Sequence, residues 1–381
     1  MRRGLTFANN ARRISAWMIV TLALLLAVMP GLVRAEAVIV EEDVIIGADI
    51  PLTTPDVSTD AQTSADQPLD PNSVIRIVIT AGGDVTLGST DNQRKSDGGF
   101  DSVIERNGFD WPFSGVIDYL RLDDLTLVNF EGTLTQSNKK QNKQFNFKGP
   151  AEYADILGLA SVEAVNLANN HTLDYGQDGL ADTIAALESA GIVYNEKGKP
   201  TVFTAQGVKI GLIGNTFPYA NGRRDIRSQV KSLREQGCAI VIASFHWGSE
   251  YETKFSAEQR SIGRAAIDAG ADVVIGHHPH IVQGIELYKG KYILYSLGNF
   301  VFGGNANPDD RDSYLARLTF TVRGGVSDPA EFEMIPIRLT QLDKGNDYRP
   351  VPAIGEEAER IRDRVLKRSY KVESIALADT R

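Results

Sequence analysis

All five histidines of this chain, His171, His246, His277, His278 and His280, follow closely on short apolar runs. The run 78–81 leads into Gly83-Asp84, 125–128 into Asn129-Phe130-Glu131, and 164–167 into Asn169-Asn170-His171. The run 239–244 leads into His246, and 272–275 into Gly276-His277-His278-Pro279-His280. Imidazole, carboxylate and carboxamide together suit a divalent cation of intermediate hardness, and with no thiolate in the set Zn, Mn, Fe, Co and Mg all stay open. Asp84, Glu131, Asn170, His246, His278 and His280 are the expected ligands, enough for one ion or for two that share a carboxylate. Asn170 and His171 are the first active-site candidates. On an extended segment residues two apart point the same way, so His278 and His280 are expected to face one site. Asn129, Asn169 and His277 beside these ligands, with Ser296 and Asn299 further on, are expected to form turns or to hydrogen-bond the ligands rather than bind metal.

Side chains from positions 84 to 280 converge only if the elements carrying them share an edge. In open α/β folds the carboxyl ends of parallel strands form that edge. From residue 75 onward apolar strands alternate with amphipathic helical stretches (111–120, 151–157, 180–190, 226–236 and 257–269), the pattern of β-α-β units. Gly191, Gly237 and Gly270 stop three of the helices just before the next strand. Hairpins are expected at 201–214, around Gln206-Gly207, and at 285–296, around Lys289-Gly290, followed by strands at 314–322 and 331–339. The sheets are therefore expected to be mixed. Residues 354–370 read as a charged surface helix packing through Ile361, Val365 and Leu366.

The first 35 residues read as a secretory signal peptide: arginines, then the apolar run 16–28, then Val33-Arg34-Ala35 as a small-x-small cleavage site. Residues 36–73, rich in Asp, Glu, Thr, Ser and Pro, read as a disordered acidic linker. The globular domain is expected over 74–345, with a C-terminal helix and tail at 346–381. The expected location is exported, periplasmic or extracellular, or membrane-anchored if the signal is retained. Removing residues 1–35, with five arginines and no acid, takes the net charge from −9 to −14, which excludes nucleic-acid or anionic-lipid binding through bulk charge. Cys238 is the only cysteine, so no disulfide holds the fold.

Six blocks in order, GGDVTLG, VNFEGTLT, NLANNHTLDYG, FHWGSEY, GHHPHIVQGIE and YSLGNFVF, resemble the successive motifs of the CapA-type capsule synthesis proteins. That group is associated with poly-γ-glutamate capsules and belongs to the calcineurin-like metallophosphoesterase superfamily. The likeness covers about residues 75–305. It implies a four-layer α/β/β/α sandwich and metal-assisted hydrolysis of an anionic polymer or phosphoester, alone or within a capsule-synthesis membrane complex. By that resemblance Asp84 matches the first aspartate ligand, Glu131 the bridging carboxylate, Asn170 the amide ligand, and His246, His278 and His280 the later histidine ligands. His171 matches the histidine that gives a proton to the leaving group, and Asp174, three residues on, is expected to orient it. Lys148 is expected at the cleft mouth against an anionic substrate. The chain also departs from the hydrolase pattern. Thr86 stands where Asp-x-His has its histidine, Glu131 is one methylene longer than the usual aspartate, and Thr172 replaces an acid. A single-metal site and a noncatalytic role in polymer assembly or export therefore stay open beside the hydrolase reading.

Overall fold

The computed structural model describes residue 70, residues 72–218 and residues 222–378. The expected signal peptide and almost all of the expected linker lie outside the described residues. The principal strands are β1 (Val74–Thr86), β2 (Leu125–Phe130), β3 (Ala164–Asn166), β4 (Val193–Asn195), β5 (Thr201–Ala205), β6 (Val208–Thr216), β7 (Ile240–His246) and β8 (Val273–His277). They continue with β9 (Ile285–Tyr288), β10 (Lys291–Leu294), β11 (Asn299–Phe302), β12 (Asp312–Arg323), β13 (Glu331–Arg338), β14 (Val351–Pro352) and β15 (Ala376–Leu377). The longer helices are α1 (Phe100–Asn107), α2 (Ala154–Leu159), α3 (Gly176–Ser189), α4 (Gly222–Glu235), α5 (Ala257–Ala269) and α6 (Glu356–Arg368).

Two mixed sheets result. One runs β14-β13-β12-β1-β2-β3-β4, with β11 added to β1 and β15 to β13; the other runs β9-β10-β8-β7-β6-β5. Strands β1 to β4 are mutually parallel, as are β6, β7, β8 and β10, while the outer hairpins and β12–β13 are antiparallel.

Period-two alternation sorts the apolar side chains into layers. Ile77, Ile79, Leu125 and Leu127 of the first sheet meet Ile210, Leu212, Ile240 and Ile242 of the second in one buried core. The opposite face of the first sheet, through Val128, Phe130 and Val165, packs on Phe100, Ile104, Ile156 and Leu187 of α1 to α3. That of the second, through Val241, Ala243 and Val274, packs on Ile226, Val230, Ile262 and Ala266 of α4 and α5. The layers are thus α/β/β/α, the order that the resemblance implies. It sets the carboxyl ends of both parallel sets at one rim.

Three expectations change. Residues 111–120 are not one helix: they form a 3-10 turn (Trp111–Phe113) and a single α-turn (Ile117–Leu120), parted at Gly115, where a Cβ would lie 2.2 Å from the Pro350 carbonyl oxygen. The helix α1 was unforeseen, although Phe100, Val103 and Ile104 bury one face at helical spacing. The C-terminal segment is not an appendage. β14 and β15 pair with β13, and α6 buries Ala358, Ile361 and Val365 while Arg360 grips Asp312 at 2.6 and 2.7 Å. The sandwich therefore continues past residue 345 to Ala378.

Candidate metal centre

Asp84 lies near the end of β1, where the register with β2 shifts between Ala81 and Asp84. The break requires glycine at 83, because a Cβ there would lie 2.0 Å from the Gly298 carbonyl oxygen. A local irregularity of this kind re-aims a side chain at a sheet rim. Asp84 emerges between Asn129 of β2 and Asn299 of β11, its register neighbours. Glu131 follows β2 directly, and its backbone N–H donates to Val85 O at 2.7 Å. From the second sheet, His246 ends β7 and His277 ends β8, side by side in register. His278 and His280 sit in the next turn with φ of +98° and +60°. The expectation of an extended His-x-His segment is thus corrected: a left-handed backbone, strained for histidine, turns each ring inward. The ring centroids of His278 and His280 are 6.0 Å apart, and those of His246 and His278 are 4.5 Å apart.

These groups form two triads around one carboxylate. Asp84, Glu131 and His246 have donor atoms within 4.8 Å of one another, and so do Glu131, His278 and His280. Both oxygens of Glu131 and Nε2 of His246 are buried with no hydrogen-bond partner among the described residues. An unpaired buried carboxylate is costly by several kcal/mol, and an inserted cation answers both orphan sets at once. The donor set therefore fits a divalent ion. Burial and the Asp84 charge push the Glu131 carboxyl well above its ordinary range. Burial also acts to raise Asp84, but hydrogen bonds from His277 and His280 outweigh it and hold that carboxyl well below the usual value. Burial and the neighbouring His278 hold His246 well below 6.5, neutral as a metal ligand must be. Burial lowers His278 too. Burial acts to lower His280, but Glu131 and Asp84 raise it to about 10, and it would give up that proton on binding a divalent ion.

Residues 78–304 match the family model described as "Bacterial capsule synthesis protein PGA_cap". The chain belongs to this family. The Bacillus anthracis "Capsule biosynthesis protein CapA" is 30% identical over 325 residues, 76% of each chain. The Bacillus subtilis (strain 168) "PGA biosynthesis protein CapA" is 33% identical over 262 residues, 63% of this chain and 68% of that one. A "Probable polyglutamine synthesis accessory protein" of Mycobacterium tuberculosis is 28% identical over 274 residues, 61% of this chain and 71% of that one.

In this PGA_cap chain His171 lies beside the triads, Nε2 3.8 Å from Glu131 Oε1. Its Nδ1 is 2.7 Å from Asp174 Oδ2, and Phe147 stacks on the ring at a centroid distance of 4.4 Å. Phe147 N–H donates to the same Asp174 oxygen at 2.6 Å. Asn299 Oδ1 is 2.9 Å from His280 Nδ1, and His277 Nδ1 is 3.3 Å from Asp84 Oδ1. Asn169 Oδ1 accepts the His171 N–H at 3.0 Å.

Three expected residues are placed elsewhere. Asn170 is exposed, and its amide makes no hydrogen bond among the described residues; only its backbone oxygen is used, by Lys143. Asn169 takes the buried place in that turn, because its amide closes onto Phe130 O at 2.7 Å. Lys148 does not reach the mouth. It is 5% exposed, donates to Ser137 O and Asn138 Oδ1, and pairs with Asp91 at 3.3 Å. Ser296 bonds no ligand; its hydroxyl donates to Ile281 O and accepts from Gly298 N–H, fixing the loop behind His280.

Lys143 was missed. Its Nζ contacts Asp174, His171 Nδ1 (3.3 Å) and Asn170 O (3.0 Å). One lysine among several in a polar stretch gives no sequence signal. Thr86 Oγ1 donates to the Glu131 backbone oxygen at 2.6 Å, so the residue in the histidine's place braces the bridging carboxylate's backbone.

Proposed function

We propose that this chain is an exported, metal-dependent hydrolase of the cell envelope, acting on an anionic polymer such as a γ-linked polyglutamate, or on a phosphoester, within a capsule-synthesis assembly. The observation that carries the reading is Glu131: fully buried, both oxygens unpartnered, shared by two ligand triads. Asp84, Glu131, His246, His278 and His280 would hold one or two divalent ions. Such an ion supplies Lewis-acid polarisation of a phosphoryl or carbonyl oxygen. Asp174 holds the His171 imidazole by Nδ1, which leaves Nε2 to accept or return a proton at the reacting group. Burial lowers the pKa of His171, so the ring is neutral at pH 7 and enters the reaction with a free lone pair on one nitrogen. Phe147 covers one face of the ring and fixes its plane. Among the described residues no helix is long and apolar enough to cross a membrane.

Metal analysis and a panel of phosphomonoester, phosphodiester and γ-glutamyl substrates test the reading. The wild type is expected to carry a stoichiometric divalent ion and to turn over one class. Glu131→Gln is expected to lose the ion. His171→Ala is expected to keep it and lose turnover by about two to four orders of magnitude. A protein that binds no divalent ion overturns the proposal. Thr86, committed to a backbone oxygen, favours a second reading in which the metal site binds polymer without cleaving it. Full metal loading with no turnover, and His171→Ala complementing a deletion strain as well as wild type, would select it.

A further inference from the structure

Asp84 stands at one end of a row of carboxamides that crosses four parallel strands. In register, Asp84 lies beside Asn129, Asn129 beside Asn166, and Asn166 beside Asn195. The side chains follow the backbone order. Asn195 Nδ2 donates to Asn166 Oδ1 at 2.8 Å, Asn166 Nδ2 to Asn129 Oδ1 at 2.9 Å, and Asn129 Nδ2 to Asp84 Oδ1 at 2.9 Å. All four residues are buried. The direction is imposed from the carboxylate: ionised Asp84 only accepts, so Asn129 must turn its NH2 toward it and its oxygen toward Asn166, and the requirement passes down the row.

A branch leaves at Asn129, whose oxygen also accepts from Asn169 Nδ2 at 3.3 Å, and Asn169 in turn accepts the His171 N–H. The facing sheet makes room for the row. At Gly214 of β6 a Cβ would lie 2.2 Å from both Asn166 Oδ1 and Asn195 Nδ2.

We propose that Asn166, which touches neither ligand nor imidazole, is a positioning residue for the metal centre. Through Asn129 it orients the Asp84 carboxylate, and through Asn129 and Asn169 it fixes the backbone that presents His171. The inference rests on the metal centre proposed above. Amide dipoles aligned head to tail reinforce one another, and the final bond, to a charged acceptor, is the strongest in the row. A merely structural row would need its hydrogen bonds filled but would be indifferent to what stands at its end.

The test compares Asn166→Leu, close in size but unable to donate, with Leu127→Ala, a core truncation on β2 outside the row. Mn2+ affinity, the visible spectrum of the Co2+ form and thermal unfolding are read for each. Asn166→Leu is expected to weaken Mn2+ binding about tenfold or more and to alter the Co2+ spectrum. Leu127→Ala is expected to lose at least as much stability with affinity within about twofold and the spectrum unchanged. If Asn166→Leu does not fold, Asn166→Ala, where water can satisfy both neighbours, is read instead and is expected to weaken binding by about threefold or more. Equal affinity and spectrum in wild type and the Asn166 variant overturn the positioning role and leave the metal centre standing, as does failure of both Asn166 variants to fold. A wild type that binds neither Mn2+ nor Co2+ overturns the metal centre, and this role with it.

Discussion

Two lysines five residues apart show how little residue type fixes by itself. Lys148 was expected to meet an anionic substrate, yet its ammonium is used up inside the protein by Ser137 O at 2.9 Å, Asn138 Oδ1 at 3.0 Å and Asp91, 4.8 Å above the Tyr175 ring. Lys143 instead reaches the His171–Asp174 pair. A bend at residues 142–144, closed by Asn146 Nδ2 donating to the Gln141 and Lys143 oxygens, separates the two side chains. Replacing Lys148 with Met should therefore destabilise the protein by about 1 kcal/mol, since it deletes the hydrogen bonds of a buried ammonium while water can still reach Asn138 and Asp91. Urea unfolding monitored by tryptophan fluorescence measures this. Wild-type stability in the variant would mean that the ammonium is effectively solvated.

At the scale of elements, α6 bears on the site from behind. Arg360 and Arg364 both bind Asp312 at the start of β12, Arg364 also holds Asp310, and Arg368 donates to Val282 O in the loop that follows His280. Burial acts to raise the Asp312 carboxyl, but the two guanidinium groups prevail and hold it below 3.8. An acid whose folded pKa is depressed contributes stability above its unfolded value and loses it as the pH falls through the folded value. Asp312→Asn should thus cost about 1–2 kcal/mol at pH 7, a modest figure because Arg360 is half exposed to water. The difference from wild type should shrink to nothing as unfolding is repeated at acid pH below that folded value. A penalty that persists there would point to packing rather than charge.

The whole molecule places carboxylates at both rims of its sheets, with opposite results. At the rim opposite the metal centre, where β2 begins, Asp123 accepts from Thr126 Oγ1 at 2.8 Å, yet burial dominates and pushes its carboxyl up to about 7. Thr80, Thr126 and the Arg317 charge act to lower it but do not offset burial, whereas His277 and His280 do so for Asp84. For an acid with a raised folded pKa the sign reverses: stability falls as the pH rises from the ordinary value near 3.8 toward 7. Asp123→Asn should raise the unfolding midpoint at pH 8 and leave it unchanged near pH 3, as differential scanning calorimetry would read. An equal shift at both pH values would refute the electrostatic account.

Much of the fold and part of the candidate site were legible in the sequence because they follow from local chemistry. Continuous apolar runs, buried on both faces, marked β2, β6, β7 and β8, and a polar residue ending such a run had to sit at a rim. What resisted reading depends on neighbours distant in the chain. Asn169 rather than Asn170 is buried because Phe130 O, from another strand, claims its amide. The left-handed turn at His278 and His280 replaces an extended segment. The row from Asn195 to Asp84 exists only once four strands are in register. The sequence by itself determined which residue types stand at the strand ends and which elements carry them, because periodicity and turn chemistry are short-range. Only the tertiary structure decided which of those side chains share a buried volume and which way each amide points, because register and desolvation are settled between strands.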